Sequence, residues 1–238
     1  MSMVEWAVDQ NVAILSMNNG ENRFNIPFCS ALLEALDHIE QKTKANVLVV
    51  KSSDAKIWCN GIDLDWLLPA IERKDPEVER FFDVQDKVYK RVTFFPMITV
   101  ASLTGHAFAG GAILAASFDF RFMRSDRGFL CFPEVDINIP FLPYMDMLIR
   151  RMLPMNVAFE GELTGKRFTA TELEKCGAIR KACPSADDTV REAVAWAKTL
   201  NKGRGVVHEI KRIMNADIGH LIDNVIRPKV DMGNVHYN

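Results

Sequence analysis

Two glycine-bearing segments and one carboxylate carry the chemistry this sequence could perform. The first segment is Lys56-Ile57-Trp58-Cys59-Asn60-Gly61-Ile62-Asp63-Leu64, and the second is Thr104-Gly105-His106-Ala107-Phe108-Ala109-Gly110-Gly111-Ala112. Each follows an apolar run with strand character and precedes one with helix character. A backbone N–H left free at a helix N-terminus carries partial positive charge and favours an anionic partner. Two such donors from separate parts of the chain can hold one oxyanion between them. Glu134 follows in the otherwise apolar stretch Phe132-Pro133-Glu134-Val135-Asp136-Ile137. Two donors and one base are the minimum for forming and holding an enolate.

These groups need a framework to position them. Val4 to Val8 and Val12 to Met17 are β-like runs separated by Asp9-Gln10-Asn11, which predicts a hairpin. From Pro27 to about Lys44, Phe28, Ala31, Leu32, Ala35, Leu36 and Ile39 recur at helical spacing. Val47 to Val50 is continuously apolar, as a strand covered on both faces would be. The pattern repeats. A short helix is expected over Asp63 to Ile71, then a longer one opened by Pro76, with Phe81, Val84, Val88 and Val92 on one face. Met97 to Leu103 reads as a buried strand, Gly110 to Ser117 as a small-residue helix and Asp119 to Arg124 as a further strand. After Pro143 the periodicity is helical over Tyr144 to Leu153, Val157 to Leu163, Ala170 to Cys176, Asp187 to Leu200 and Val206 to Asn215. Thr169 and Glu172 have capping-box spacing. A β/α core followed by a helical C-terminal region is the expected architecture.

Composition bounds the partners. The chain has 238 residues, 48% of them hydrophobic, and a formal net charge of −2, so a sizeable core is expected and a dedicated nucleic-acid surface is not. The five cysteines (Cys29, Cys59, Cys131, Cys176 and Cys183) are odd in number and none are spaced C-x-x-C, which predicts free thiols rather than a disulfide framework or a zinc knuckle. The histidines have no metal spacing. The first residues do not resemble a secretory signal, and no apolar run has membrane-spanning length. A soluble, cytoplasmic protein without membrane contact is therefore expected.

Taken together, the motifs resemble the crotonase family, also called the enoyl-CoA hydratase/isomerase superfamily. The Lys56 to Leu64 segment resembles the family's first oxyanion loop. Gly105 to Gly111 resembles the second, which leads into its central helix. Leu163-Thr164-Gly165-Lys166-Arg167-Phe168-Thr169-Ala170, with Cys176-Gly177-Ala178-Ile179, resembles a later signature. The resemblance implies an α/β fold, with a crotonase-like spiral core of ββα repeats over residues 1–195 and a helical trimerisation region over 196–238. It implies that the N–H groups of Ile62 and Gly110 hold a thioester carbonyl. It also implies that Lys56, Trp58, Cys59, Asn60, Gly61 and Gly111 lie on the CoA side. CoA would be part of the substrate, with no tightly bound cofactor and no metal. A homotrimer or dimer of trimers is expected.

Departures from the family pattern narrow the reaction. Hydratases carry two glutamates. Here the first position is Ile113, which cannot act as acid or base, while the second matches Glu134. A single glutamate resembles the Δ3,Δ2-enoyl-CoA isomerase branch, as does Arg124-Ser125-Asp126-Arg127-Gly128-Phe129-Leu130. Pro140-Phe141-Leu142-Pro143 stands where hydratases place a glycine-rich turn. Glu134 among apolar neighbours should be desolvated and more basic than usual. Other crotonase reactions on an acyl-CoA, hydration or thioester hydrolysis, remain alternatives, as does a silent acyl-CoA-binding protein. Asp136 is a rival carboxylate, on the same face as Glu134 if the segment is extended. Asp63 reads as a helix cap, Asp119 as structural and His106 as a lining or structural residue. Met145, Met147, Met152 and Met155 read as core packing or acyl-chain lining.

Overall fold

In the computed structural model, residues 2–225 are described, together with the backbone of two short paired strands, Lys229–Asp231 and Asn234–His236. The chain opens with the predicted hairpin of β1 (Val4–Asp9) and β2 (Val12–Met17), which pairs Val4 with Met17 and Asp9 with Val12. Four further strands, β3 (Val47–Ser52), β5 (Ile98–Leu103), β7 (Phe120–Arg124) and β10 (Lys181–Cys183), extend it in parallel, giving the order β1-β2-β3-β5-β7-β10. A second sheet has the order β4 (Ile57–Cys59), β6 (His106–Phe108), β8 (Leu130–Cys131) and β9 (Arg167–Phe168).

The two sheets are filled alternately. β3 leads to β4, β5 to β6 and β7 to β8, and helical structure follows each pair. After β4 come α2 (Leu64–Glu72) and α3 (Glu77–Thr93). After β6 comes α4 (Gly110–Ser117). After β8 come a 3-10 turn (Pro133–Ile137) and α5 (Pro143–Met152). This is a spiral of ββα units, as the resemblance implied.

The apolar runs of the long sheet are explained by two cores. Successive side chains of a strand point to opposite faces. Leu48 and Val50 enter the main core, while Val47 and Val49 pack with Val12, Val100, Ala193 and Ala197 beneath α8 (Ala186–Lys198). On the main-core side lies α1 (Ile26–Lys42), started by Asn25, whose side chain accepts the Phe28 N–H at 2.9 Å. Its buried Phe28, Leu32, Leu36 and Ile39 form the stripe read from the sequence.

The C-terminal part folds back onto this framework. It contains α6 (Met155–Thr164), α7 (Ala170–Lys175) with its capping box of Thr169 and Glu172, α9 (Arg204–Met214) and α10 (Ala216–Asp223). The Arg204 guanidinium donates to the carbonyls of Glu40, Thr43 and Ala45 at the end of α1. The ammonium of Lys211, nearly fully buried, donates to the Met97 carbonyl and to Asp119, which also pairs with Arg151. Asp119 is thus the structural carboxylate expected.

Candidate active site

The first and second glycine segments are joined edge to edge. The N–H of His106 donates to the Lys56 carbonyl at 2.9 Å, and β4 pairs with β6. At Gly111 a Cβ would lie 2.1 Å from the Cys59 carbonyl oxygen, so only glycine permits this approach. Gly61 has φ +74°, and a Cβ there would meet the Gly110 nitrogen at 2.9 Å. The peptides carrying the Ile62 and Gly110 N–H groups are therefore neighbours. Among the described residues neither N–H has an intramolecular acceptor.

Gly110 begins α4, so its N–H sits at the positive end of a helix. The preceding Ala109 holds φ +49° and ψ −126°, a conformation that side chains other than glycine rarely adopt. Two bonds hold this residue: its N–H donates to the Cys131 carbonyl at 3.0 Å, and its own carbonyl accepts the Ala112 N–H at 2.8 Å. The sharp reversal brings Gly110 to the wall of a cavity.

That cavity is predominantly apolar. Ile62, Leu64, Phe82, Ile113, Leu142 and Met145 line it, with Asn60, Gln85, Gly110 and Glu134 as polar contributors. Among the described residues, Glu134 is the only ionisable side chain on its wall. Only 8% of Glu134 is exposed, and one carboxylate oxygen, Oε2, has no hydrogen-bond partner. Burial, assisted by the charge of Glu162, pushes its pKa up to about 7; hydrogen bonding to its own backbone N–H pulls in the other direction. The sequence expectation of a desolvated carboxylate is explained by this enclosure.

Several expectations are corrected. The Glu134 segment is not extended. Pro133 opens a 3-10 turn that closes on Asn138 in a left-handed conformation, whose N–H returns to the Glu134 carbonyl. In consequence Asp136 does not share the Glu134 face. It is exposed, and its carboxylate abuts Gly165 at the end of α6. The side chains of Trp58 and Cys59 are fully buried, Trp58 lying edge-on to Phe118. They cannot contact a ligand, which leaves only their backbone for that purpose. Lys56 is exposed outside the cavity wall, and Asn60 lines it. Asp63 occupies the N-cap of α2, yet its side chain makes no capping bond. His106 is a structural residue: its Nδ1 accepts the Phe129 N–H at 3.1 Å. Of the four methionines, Met145 lines the cavity, Met152 is buried and Met155 is half exposed.

A family model described as enoyl-CoA hydratase/isomerase matches residues 7–232. The chain belongs to the enoyl-CoA hydratase/isomerase family. Among curated members, the Arabidopsis thaliana enoyl-CoA delta isomerase 3 is 32% identical over 85% of this chain and 87% of its own length. The peroxisomal enoyl-CoA delta isomerase 2 of the same plant is 31% identical over 72% of this chain and 73% of its own length. In fold, this enoyl-CoA hydratase/isomerase is similar to the crystal structure of an enoyl-CoA hydratase from Mycobacterium ulcerans Agy99, with TM-score 0.83 and 20% identity, covering 93% of this chain and 95% of that one.

The structure of this family member also brings forward residues that the sequence reading did not select. Gln85, buried on α3, reaches the cavity wall and donates to the Tyr89 hydroxyl at 2.8 Å. Tyr89 in turn donates to the Gly110 carbonyl at 3.1 Å, which steadies the start of α4. A glutamine within the apolar stripe of Phe81, Val88 and Val92 was the available signal. Glu162, on α6, carries a charge that helps raise the Glu134 pKa; nothing in the spacing of its neighbours marked it.

Proposed function

We propose that this chain is a Δ3,Δ2-enoyl-CoA isomerase, which moves a double bond into conjugation with a CoA thioester. The carrying observation is a single desolvated carboxylate, Glu134, in an apolar cavity whose wall includes Ile62 and Gly110, two residues with unengaged N–H groups. The thioester carbonyl of a 3-enoyl-CoA accepts from Ile62 and Gly110. Glu134 removes a C2 proton, and negative charge develops on the carbonyl oxygen as the enolate forms. Each donor is worth roughly 3–4 kcal/mol to such a transition state. Glu134 then delivers its proton to C4, and the conjugated 2-enoyl thioester leaves. The reaction is redox-neutral, and one carboxylate with two donors supplies its acid–base work.

Ile113 supports this reading over hydration. It is fully buried and lines the cavity, so among the described residues no second carboxylate on the wall is available to activate water. The names of the Arabidopsis relatives point the same way. The oligomer is proposed to form through α9, where Val206, Ile210, Ile213 and Met214 are at least half exposed. The five cysteines, all free, fit the proposed cytoplasmic location.

Incubation with 3-hexenoyl-CoA tests the activity. Absorbance of the conjugated thioester should appear without added water mass. Glu134→Gln should lower turnover by roughly 10²–10⁴-fold, the range for a general base. Binding without conjugation in the wild type, or full turnover in the variant, would sink the proposal.

A further inference from the structure

Glycine has no side chain to limit its backbone torsions, yet Gly110 has to hold its N–H at a fixed point. The residue before it works against this. Ala109 keeps φ +49° and ψ −126°, and turning the peptide that carries the Gly110 N–H would relieve that strain. On one side the peptide is held within α4, because the Ala109 carbonyl accepts from Ala112 at 2.8 Å and from Ile113 at 3.0 Å. On the other side the hold comes from α3. The Tyr89 hydroxyl donates to the Gly110 carbonyl at 3.1 Å. A Cβ on Gly110 would lie 2.9 Å from that hydroxyl and 3.2 Å from Nε2 of Gln85. Two side chains of α3 therefore occupy the space that a side chain of Gly110 would fill.

The direction of these bonds follows from their chemistry. The Gly110 carbonyl can only accept, so the Tyr89 hydrogen goes to it and the phenol oxygen is left as an acceptor. Nε2 of Gln85 fills that place at 2.8 Å. Because it can only donate, it keeps the phenol hydrogen from turning back towards α3. Gln85 and Tyr89 stand one helical turn apart on α3 and both are buried. Hydrogen bonds in such a chain strengthen one another where water is excluded. Burial pushes the Tyr89 phenol well above its usual range, so it keeps its hydrogen at neutral pH. Its ring is fixed from two sides, edge-on to Phe24 with 6.0 Å between centroids and tilted against Tyr144 at 6.2 Å. Gln85 is among the described residues that line the cavity, and Tyr89 is not.

We propose that Tyr89 is a positioning residue for the Gly110 donor, and that Gln85 keeps the Tyr89 hydroxyl aimed at Gly110. This rests on Gly110 being one of the two donors to the thioester carbonyl. Such a donor acts on charge that develops in the transition state, so loosening it lowers kcat and leaves ground-state binding largely intact. Tyr89 thereby sets the rate of enolate formation from a place off the cavity wall, through the backbone of a residue that has no side chain of its own.

Tyr89→Phe keeps the ring and removes the hydroxyl. With 3-hexenoyl-CoA it should lower kcat roughly 10- to 100-fold, with KM within about threefold of the parent. The acid limb of the pH–rate profile should stay in place, because the base is untouched. The change also leaves Nε2 of Gln85 without its buried acceptor, so Tm should fall. Tyr89→Phe combined with Gln85→Met removes both partners. The pair should recover most of the lost Tm, while kcat stays as low as in Tyr89→Phe alone, since Gly110 still lacks the phenol. Recovery of kcat together with Tm would reduce Tyr89 to a packing role and overturn the proposal, as would parental kcat in Tyr89→Phe. Gln85→Met alone, which leaves the phenol but frees its hydrogen, keeps the test open if Tyr89→Phe does not fold. It should lower kcat at least about threefold, and an unchanged kcat there would overturn the proposal. Absence of conjugated product from the wild type would instead overturn the isomerase reading.

Discussion

At the residue scale, the site balances reactivity against stability within one side chain. Enclosure among apolar groups pushes the pKa of Glu134 up to about 7 in the folded chain, whereas a glutamate exposed to water in the unfolded chain titrates near 4.5. Between those values the native state binds the extra proton. Stability is therefore fullest below about pH 4.5, as far as this group is concerned, and declines as pH rises through about 7. The difference amounts to on the order of 3 kcal/mol. Catalysis has the opposite requirement, since the base works only when ionised, and kcat/KM should rise across the same interval. Glu134→Gln removes the titration. Its Tm should exceed that of the wild type at pH 8, and the gap should close at pH 5. A gap that does not depend on pH would show that Glu134 is not the group being charged.

At the element scale, the two loops succeed or fail together. Gly61→Ala would force a side chain into a φ of +74° and against the Gly110 nitrogen. Strain of that kind costs roughly 1–3 kcal/mol. The same methyl would displace an oxyanion donor, which should lower kcat by about 10²–10³-fold with KM for the CoA thioester changed far less. Chemical denaturation and steady-state kinetics on one preparation check both halves. Much of this arrangement was legible in the sequence. β3 was visible as the unbroken apolar run Val47 to Val50 because both faces meet a core, and α1 showed its stripe because only one face does. The two loops and Glu134 were found through their resemblance to a family. Three features were not readable. The 3-10 turn depends on Pro133 and on a left-handed Asn138, both compatible with an extended reading. The inward burial of Trp58 follows from the pairing of β4 with β6, which is set by tertiary contacts. Glu162 was hidden because the conspicuous apolar residues of α6, Met155, Phe159 and Leu163, face outward, while the face that carries Ala158 and Gly161 turns inward.

At the scale of the whole molecule, α9 is the least satisfied surface. Val206, Ile210 and Ile213 repeat at i, i+4, i+7, and Ile213 is 69% exposed. A self-association surface is the natural use of such a stripe. Ile210→Glu with Ile213→Glu should reduce the sedimenting mass to that of one chain while leaving Tm within a few degrees of the parent; an unchanged mass would refute α9 as the contact. The opposite side of the same helix has a different consequence. Lys211 and Arg151 both close on the scarcely exposed carboxylate of Asp119, and Arg204 caps the carbonyls that end α1. During synthesis the spiral can be laid down turn by turn behind the ribosome, since each ββα unit rests on the one before. Asp119, however, waits for its second cation, Lys211, encoded 92 residues later. A nascent chain that has already assembled both sheets therefore holds Asp119 with Arg151 alone and lacks the second of its two cations. Lys211 of α9 closes that charge cluster over a framework already laid down.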